Sequence, residues 1–195
     1  MEKAALDELL RRAGRNDPDA LRQLVAAYGP RVYGLLYRLT ASREAAEDLL
    51  QETFLRVVRM IGAYEHAGKF EAWLFRIAAN LARDRARRLA RRPDVVPLEL
   101  AGSELRAPAS ESGAASESGA ANDDPAARLV RAERGARLAA CLARLSNTDR
   151  EIILLRYYSE LPFVEIAKLL AIPLGTALAR VHRALQKLRS ELGSD

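Results

Sequence analysis

The chain has almost none of the residues that build metal, redox or hydrolytic centres. It holds a single cysteine, Cys141, so an intramolecular disulfide is excluded, and with it any site built on several thiolate ligands. Its two histidines, His66 and His182, lie far apart in sequence, which argues against a histidine-rich metal site or a hydrolytic triad. It also lacks long apolar runs. Arg, Asp or Glu interrupts each one well short of the ~20 residues a membrane span needs. The start, MEKAALDELLRR, is charged and has no signal-peptide core, so a cytoplasmic protein is expected. No cofactor, metal or small-molecule substrate is expected, and no nucleophile, base and metal set converges to make an enzyme.

What the chain does have is charge, distributed unevenly along 195 residues. Residues 1–92 carry 18 Lys/Arg against 12 Asp/Glu, and residues 126–195 carry 12 against seven. Between them, residues 93–125 carry one Arg and seven acids. Two basic blocks flanking an acidic one suggest a polyanionic partner, with nucleic acid the first candidate. The middle segment repeats ASESGA in tandem at 109–114 and 115–120, and from Pro108 to Asp124 it has no Leu, Ile, Val, Phe, Tyr or Trp. Such a stretch cannot bury enough apolar area to offset its ordering entropy, so a flexible acidic linker is predicted between domains 1–92 and 126–195.

Both flanking blocks read as helices only. Asp17-Pro18 forms an N-cap and first turn, with Leu21, Leu24, Val25 and Tyr28 at helical spacing. Gly29-Pro30 is expected to break the chain before Val32, Leu35, Leu36 and Leu39 resume the pattern. Ser42 caps a helix over about 43–61, with Ala46, Leu49, Leu50, Thr53, Phe54, Val57 and Ile61 inward. After a loop at 62–69, a helix from Phe70 to Ala90 buries Phe70, Trp73, Leu74, Ile77, Ala78 and Leu81. Arg76, Asn80, Arg83 and Arg87 share its other face. Arg85, Arg88, Arg91 and Arg92 make its end strongly basic, which suits phosphate contact.

In the second block, Asp124-Pro125 again looks like a cap, for a helix over 126–144. Thr148 and Glu151 fit a capping box for a helix over 149–158. A short helix at 162–170, a turn at Ala171-Ile172-Pro173 and a long helix at 174–191 then have helix-turn-helix spacing. The long helix is predicted to bury Ala177, Val181, Ala184, Leu185 and Leu188 and to expose Arg180, Arg183, Lys187 and Arg189. A basic second helix behind a short turn is the arrangement that enters a DNA major groove. The fold class is therefore all-α, with two small helical domains.

Three stretches carry a family resemblance. EDLLQETFLRVVR (47–59), FEAWLFRIAANLARDRARR (70–88) and REIILLRYYSELPFVEIAKLLAIPLGTALARVHRALQKLR (150–189) resemble conserved regions 2.2, 2.3–2.4 and 4 of the sigma-70 family of RNA polymerase sigma factors, in its small extracytoplasmic-function class. The resemblance implies a non-enzymatic protein that joins core RNA polymerase, recognises promoter DNA and helps open it, commonly under an anti-sigma factor. It implies polymerase contact by Asp48, Gln51, Glu52, Phe54, Leu55 and Arg56. It implies contact with the −10 element by Tyr64, His66, Lys69, Arg76, Asn80, Arg83, Arg87 and Arg88, and with the −35 element by Thr176, Arg180, Arg183 and Lys187. Trp73 fits the apolar stripe better than a melting wedge, and Asp84 is placed to pair with Arg87 or Arg88.

The sequence departs from the family at Val58, where Trp or Phe is common. Ala171 stands where the turn usually has glycine, and Ala177, Leu178 and Ala179 replace a usually polar run. A polymerase-independent helix-turn-helix regulator would account for 150–190, but not for the strip at 47–56 or the face from Arg76 to Arg87. An RNA-binding or scaffold protein of two helical modules is a third reading.

Overall fold

The structure, a computed structural model, describes residues 3–64, 69–91 and 125–193. The ASESGA repeats, His66 and the Asp124 cap fall outside them. Among the described residues every regular element is helical, and no helix is long and apolar enough to cross a membrane. The chain divides into two compact units, Met1–Pro97 with Ser159–Leu161, and Leu98–Tyr158 with Pro162–Asp195.

The first unit contains α1 (Lys3–Gly14), α2 (Pro18–Thr40), α3 (Arg43–Met60), a 3-10 turn (Ile61–Ala63) and α4 (Phe70–Ala90). In α1, Leu6, Leu9, Leu10 and Ala13 follow helical spacing, and the last three are buried. Asp17 caps α2, accepting from the Asp19 N–H at 2.9 Å and from the Ala20 N–H. Arg12 Nε donates to Asp17 at 2.8 Å, tying the end of α1 to the start of α2. That guanidinium holds the Asp17 carboxyl below the usual carboxylate range. Ser42 caps α3 through the Ala45 N–H, as its position before the apolar pattern predicts. Thr53, buried in α3, donates to the Leu49 carbonyl at 2.6 Å, which satisfies its hydroxyl.

Gly29-Pro30 does not break the chain: α2 runs through it. Pro30 removes one helical donor and costs about 3 kcal/mol in a helix interior. However, Ala26 and Pro30 both face solvent, so water can satisfy the freed carbonyl. Leu24, Tyr28, Val32, Leu35 and Leu36 stay in one helical phase and are all buried, each contributing about 1.5–3 kcal/mol. The packing outweighs the local penalty.

The second unit contains α5 (Pro125–Ala143), α6 (Asn147–Ile153), a π turn (Leu154–Tyr158), α7 (Phe163–Leu170) and α8 (Leu174–Leu192). The cap of α6 is Ser146, whose hydroxyl accepts from the Asp149 N–H at 3.2 Å; Thr148, expected to be the cap, lies inside the first turn. Ser146 and Thr148 flank Asn147, and the first of the two hydroxyls is the one outside the helix, where it can reach a first-turn N–H. The end of α5 is held by Arg150 of α6. Its guanidinium donates to the carbonyls of Leu142 (2.9 Å), Ala143 (2.7 Å) and Leu145 (3.4 Å). The Leu142 carbonyl also accepts from the Leu145 N–H at 3.2 Å, so the guanidinium adds to that turn and gathers carbonyls at and just beyond the end of α5, where positive charge is favoured. Burial pulls the arginine below its ordinary range, and the three carbonyls compensate for its desolvation. In α8, Ala177, Val181, Ala184 and Leu188 are buried as expected. Leu185 is not: it stays 37% exposed, because it sits at the edge of the buried stripe rather than in it.

Candidate nucleic-acid and polymerase interfaces

On α3, Asp48, Gln51 and Leu55 are exposed and Val58 continues the same side. Their offsets of three, seven and ten make one outward strip, acidic and polar at its N-terminal end and apolar further on. The acidic end also suits the helix dipole. Leu55 is 51% exposed, an apolar group with no partner in the core. Glu52 is half-buried and ion-paired with Arg56 at 2.9 Å, and Phe54 is half-buried. The strip is therefore led by Asp48, Gln51 and Leu55, with Glu52 and Arg56 joined beside it.

On α4, Arg76, Asn80, Arg87 and Arg88 are exposed and Arg83 is half-buried. Asp84 does pair with Arg87, at 3.7 Å, and its backbone carbonyl accepts from Arg88 Nε. Lys69 is exposed immediately before the helix. Tyr64 does not stand out in solvent. Its ring centroid lies 4.9 Å from that of Trp73 and 5.8 Å from that of Phe70, and Phe70 in turn meets Tyr28 edge-on at 5.3 Å. Burial, aided by the charge of Asp7, pushes the Tyr64 hydroxyl up, while a hydrogen bond from the Lys69 backbone acts the other way. Trp73 is half-buried within this cluster. The Tyr64–Trp73 pair thus forms an aromatic border along the Arg76–Asn80 face. Phe75, fully buried and absent from the expected stripe, lies under the Arg31 guanidinium at 5.3 Å.

On α8, Arg183 and Lys187 are exposed while Thr176 and Arg180 are half-buried. Lys187 reaches back to α5, where Nζ donates to the Arg144 carbonyl at 3.4 Å. Arg144, just past α5, pairs with Glu191 at 2.6 Å and Arg137 donates to the Leu192 carbonyl at 2.9 Å, so the C-terminal ends of α5 and α8 are tied together. The outward strip of α8 runs through Gly175, Leu178, Ala179, His182, Arg183 and Gln186. His182 and Gln186 were not among the sequence candidates. Projection opposite the buried Ala177, Val181, Ala184 and Leu188 would have found them. Among the described residues no three His, Cys, Asp or Glu side chains gather as metal ligands.

Two helical units, the first with an arginine-rich face on α4 and the second ending in a helix-turn-helix whose second helix exposes Arg183, have the architecture of a DNA-binding transcription factor. Residues 24–92 match Sigma-70 region 2 and residues 135–188 match Sigma-70 region 4. The chain is 33% identical over 184 residues to the ECF RNA polymerase sigma factor SigW of Bacillus subtilis, covering 94% of each. It is 39% identical over 175 residues to the RNA polymerase sigma factor CarQ of Myxococcus xanthus, covering 90% of each. Its fold is similar to that of CnrH solved with the cytosolic domain of CnrY, with a TM-score of 0.58, 24% identity and 96% of both chains covered. It is also similar to that of the sigma factor RpoE solved with the anti-sigma factor NepR from Bartonella quintana, with a TM-score of 0.57, 24% identity, and 89% of this chain and 97% of that one covered. The chain belongs to the extracytoplasmic-function class of the sigma-70 family. Its activity is to direct transcription initiation.

Proposed function

We propose that the α3 strip docks on core RNA polymerase and that the α4 face holds the displaced strand of the −10 element. The α8 strip then binds the −35 element as duplex. In this reading residues 1–92 and 126–195 act as the two promoter-binding domains, and 93–125 links them in the cytoplasm. The supporting observation is that α3 and α4 share one core yet turn separate faces outward. One of these faces is acidic to apolar, and the other is arginine and asparagine bordered by aromatic rings.

The physics of opening fits that second face. A base leaving the stack costs a few kcal/mol, which aromatic contact and phosphate neutralisation can offset. Asn80 supplies a neutral donor and acceptor for a base edge, and Arg76, Arg83, Arg87 and Arg88 supply charge along the backbone. On α8, the exposed Leu178 and Ala179 can touch a thymine methyl but cannot form bidentate hydrogen bonds, so phosphate contact from Arg183 carries more of the affinity than base readout does. One of the similar folds was solved with an anti-sigma factor, and we assign this chain a partner of the same kind that covers these faces.

The test is a competition assay with core polymerase. Asp48→Ala with Glu52→Ala is expected to weaken binding by about 1–3 kcal/mol, as for lost charge-assisted contacts. Asn80→Ala with Arg83→Ala should bind core normally and lose permanganate reactivity on duplex promoter, with partial rescue by a pre-melted bubble. Wild-type affinity in the first pair, or wild-type footprints in the second, would refute the corresponding assignment. A chain that binds −35 DNA but no polymerase would support the free helix-turn-helix regulator instead.

A further inference from the structure

Helix α1 lies outside the region 2 match, which begins at Leu24 within α2. No role assigned to the first unit draws on it. Its last turn nevertheless touches the backbone that leads to Tyr64. A Cβ on Gly62 would stand 3.3 Å from the Gly14 carbonyl oxygen. A Cβ on Gly14 would stand 3.6 Å from the Ile61 carbonyl oxygen and 3.7 Å from the Gly62 Cα. This is backbone against backbone: at Gly62 a Cβ would be tighter than ordinary contact with no flexible side chain to give way, whereas at Gly14 it would make ordinary van der Waals contact. Leu9, Leu10 and Ala13 are buried on the α1 side and Ile61 on the other, so neither partner is free to drift. The Tyr64 N–H then donates to the Ile61 carbonyl at 3.1 Å, coupling the turn to the aromatic pair. Asp7, also on α1, acts on Tyr64 through its charge. Trp73 leads directly to the strand-binding face, with Arg76 and Asn80 three and seven residues further along α4.

We propose that α1 is a positioning element for that face: the Gly14–Gly62 contact sets where the 3-10 turn places Tyr64 against Trp73, and so how the aromatic border meets Arg76 and Asn80. Gly14 and Gly62 are positioning residues and touch no nucleic acid. The inference rests on the assignment of the α4 face to the displaced strand.

Trp73 is the single tryptophan of the chain, so its fluorescence reports the pair directly. The experiment uses the full chain, alone and with core polymerase, carrying Gly62→Val or Gly62→Ala, with Asn80→Ala as a separate arm. The Gly62→Val protein should show altered Trp73 emission, core binding like wild type, and about a tenfold loss of open complex, the scale on which small misplacements act. Affinity for a single-stranded −10 oligonucleotide should fall in parallel. Gly62→Ala should move the same readings less, because its contact needs only a few tenths of an ångström of relief. If Asn80→Ala opens promoters normally, the assignment of the face fails, whatever Gly62 does. If Asn80→Ala is impaired while a folded Gly62→Val keeps wild-type emission and opening, the positioning role is overturned. A lowered melting temperature with wild-type emission and opening also overturns it, since the contact would then be structural only. Should Gly62→Val not fold, Gly62→Ala decides by the same readings.

Discussion

Ala171→Gly is expected to stabilise the helix-turn-helix unit without altering its surface. Ala171 ends α7 in the left-handed region, at φ 52° and ψ 47°. Its N–H donates to the Lys168 carbonyl at 3.2 Å, and the Ile172 N–H donates to the Ala167 carbonyl at 3.0 Å. These are the two bonds of a Schellman ending, which glycine usually supplies. A Cβ in this conformation costs about 1–2 kcal/mol. Glycine removes that cost but gives back about 0.4–1 kcal/mol by loosening the unfolded chain. Ala171 is exposed, so no packing is lost. The net gain is about 0.5–1 kcal/mol, a rise of roughly 2–8 °C in melting temperature for a unit of this size. Trp73 lies in the first unit, so a transition seen by far-ultraviolet circular dichroism but not by tryptophan fluorescence belongs to the second. Ala171→Val should shift that transition down, because a β-branched side chain resists positive φ more strongly. Affinity of the holoenzyme for −35 DNA should not change in Ala171→Gly. A melting temperature at or below wild type for the glycine variant, with valine tolerated, would refute the strained ending.

Arg150→Ala should cost the second unit about 2–3 kcal/mol, because it removes the guanidinium bonds to the carbonyls at the end of α5; among the described residues, only that of Leu142 keeps a backbone donor, the Leu145 N–H. Arg150→Lys should restore only part of this, since an ammonium cannot reproduce the guanidinium fork; full recovery in urea unfolding would refute the cap. Arg183→Ala should lower −35 affinity across sequences and reduce the salt slope by about one unit. Lys187→Ala, whose Nζ is drawn to the Arg144 carbonyl, should change that slope less; an equal effect of the two in salt titrations would show that Lys187 leaves α5 for phosphate.

Much of this architecture is legible locally. The Asp17 and Ser42 caps, the bounds of α4 and the α7-turn-α8 unit follow from residues within a few positions of each other, where capping and periodicity operate. The same periodicity marks Asp48, Gln51, Leu55, Arg76 and Asn80 as outward residues, since each lies opposite its helix's apolar stripe. Local pattern misleads where tertiary packing decides. Pro30 reads as a breaker, yet α2 continues because its apolar stripe is buried as one surface. Leu185 reads as core, yet the buried stripe of α8 passes beside it.

The sequence by itself determined the all-helical class, the two basic blocks and the family, because these depend on pattern, charge and motif order. Only the tertiary structure decided that Arg150 closes the end of α5, that Lys187 turns toward Arg144 and that Tyr64 packs on Trp73. It also decided that α1 sits glycine against glycine on the turn before Tyr64. Those outcomes depend on which backbones come within a few ångströms of each other. Hydrogen bonds and close packing act only over that range, whatever the separation along the chain.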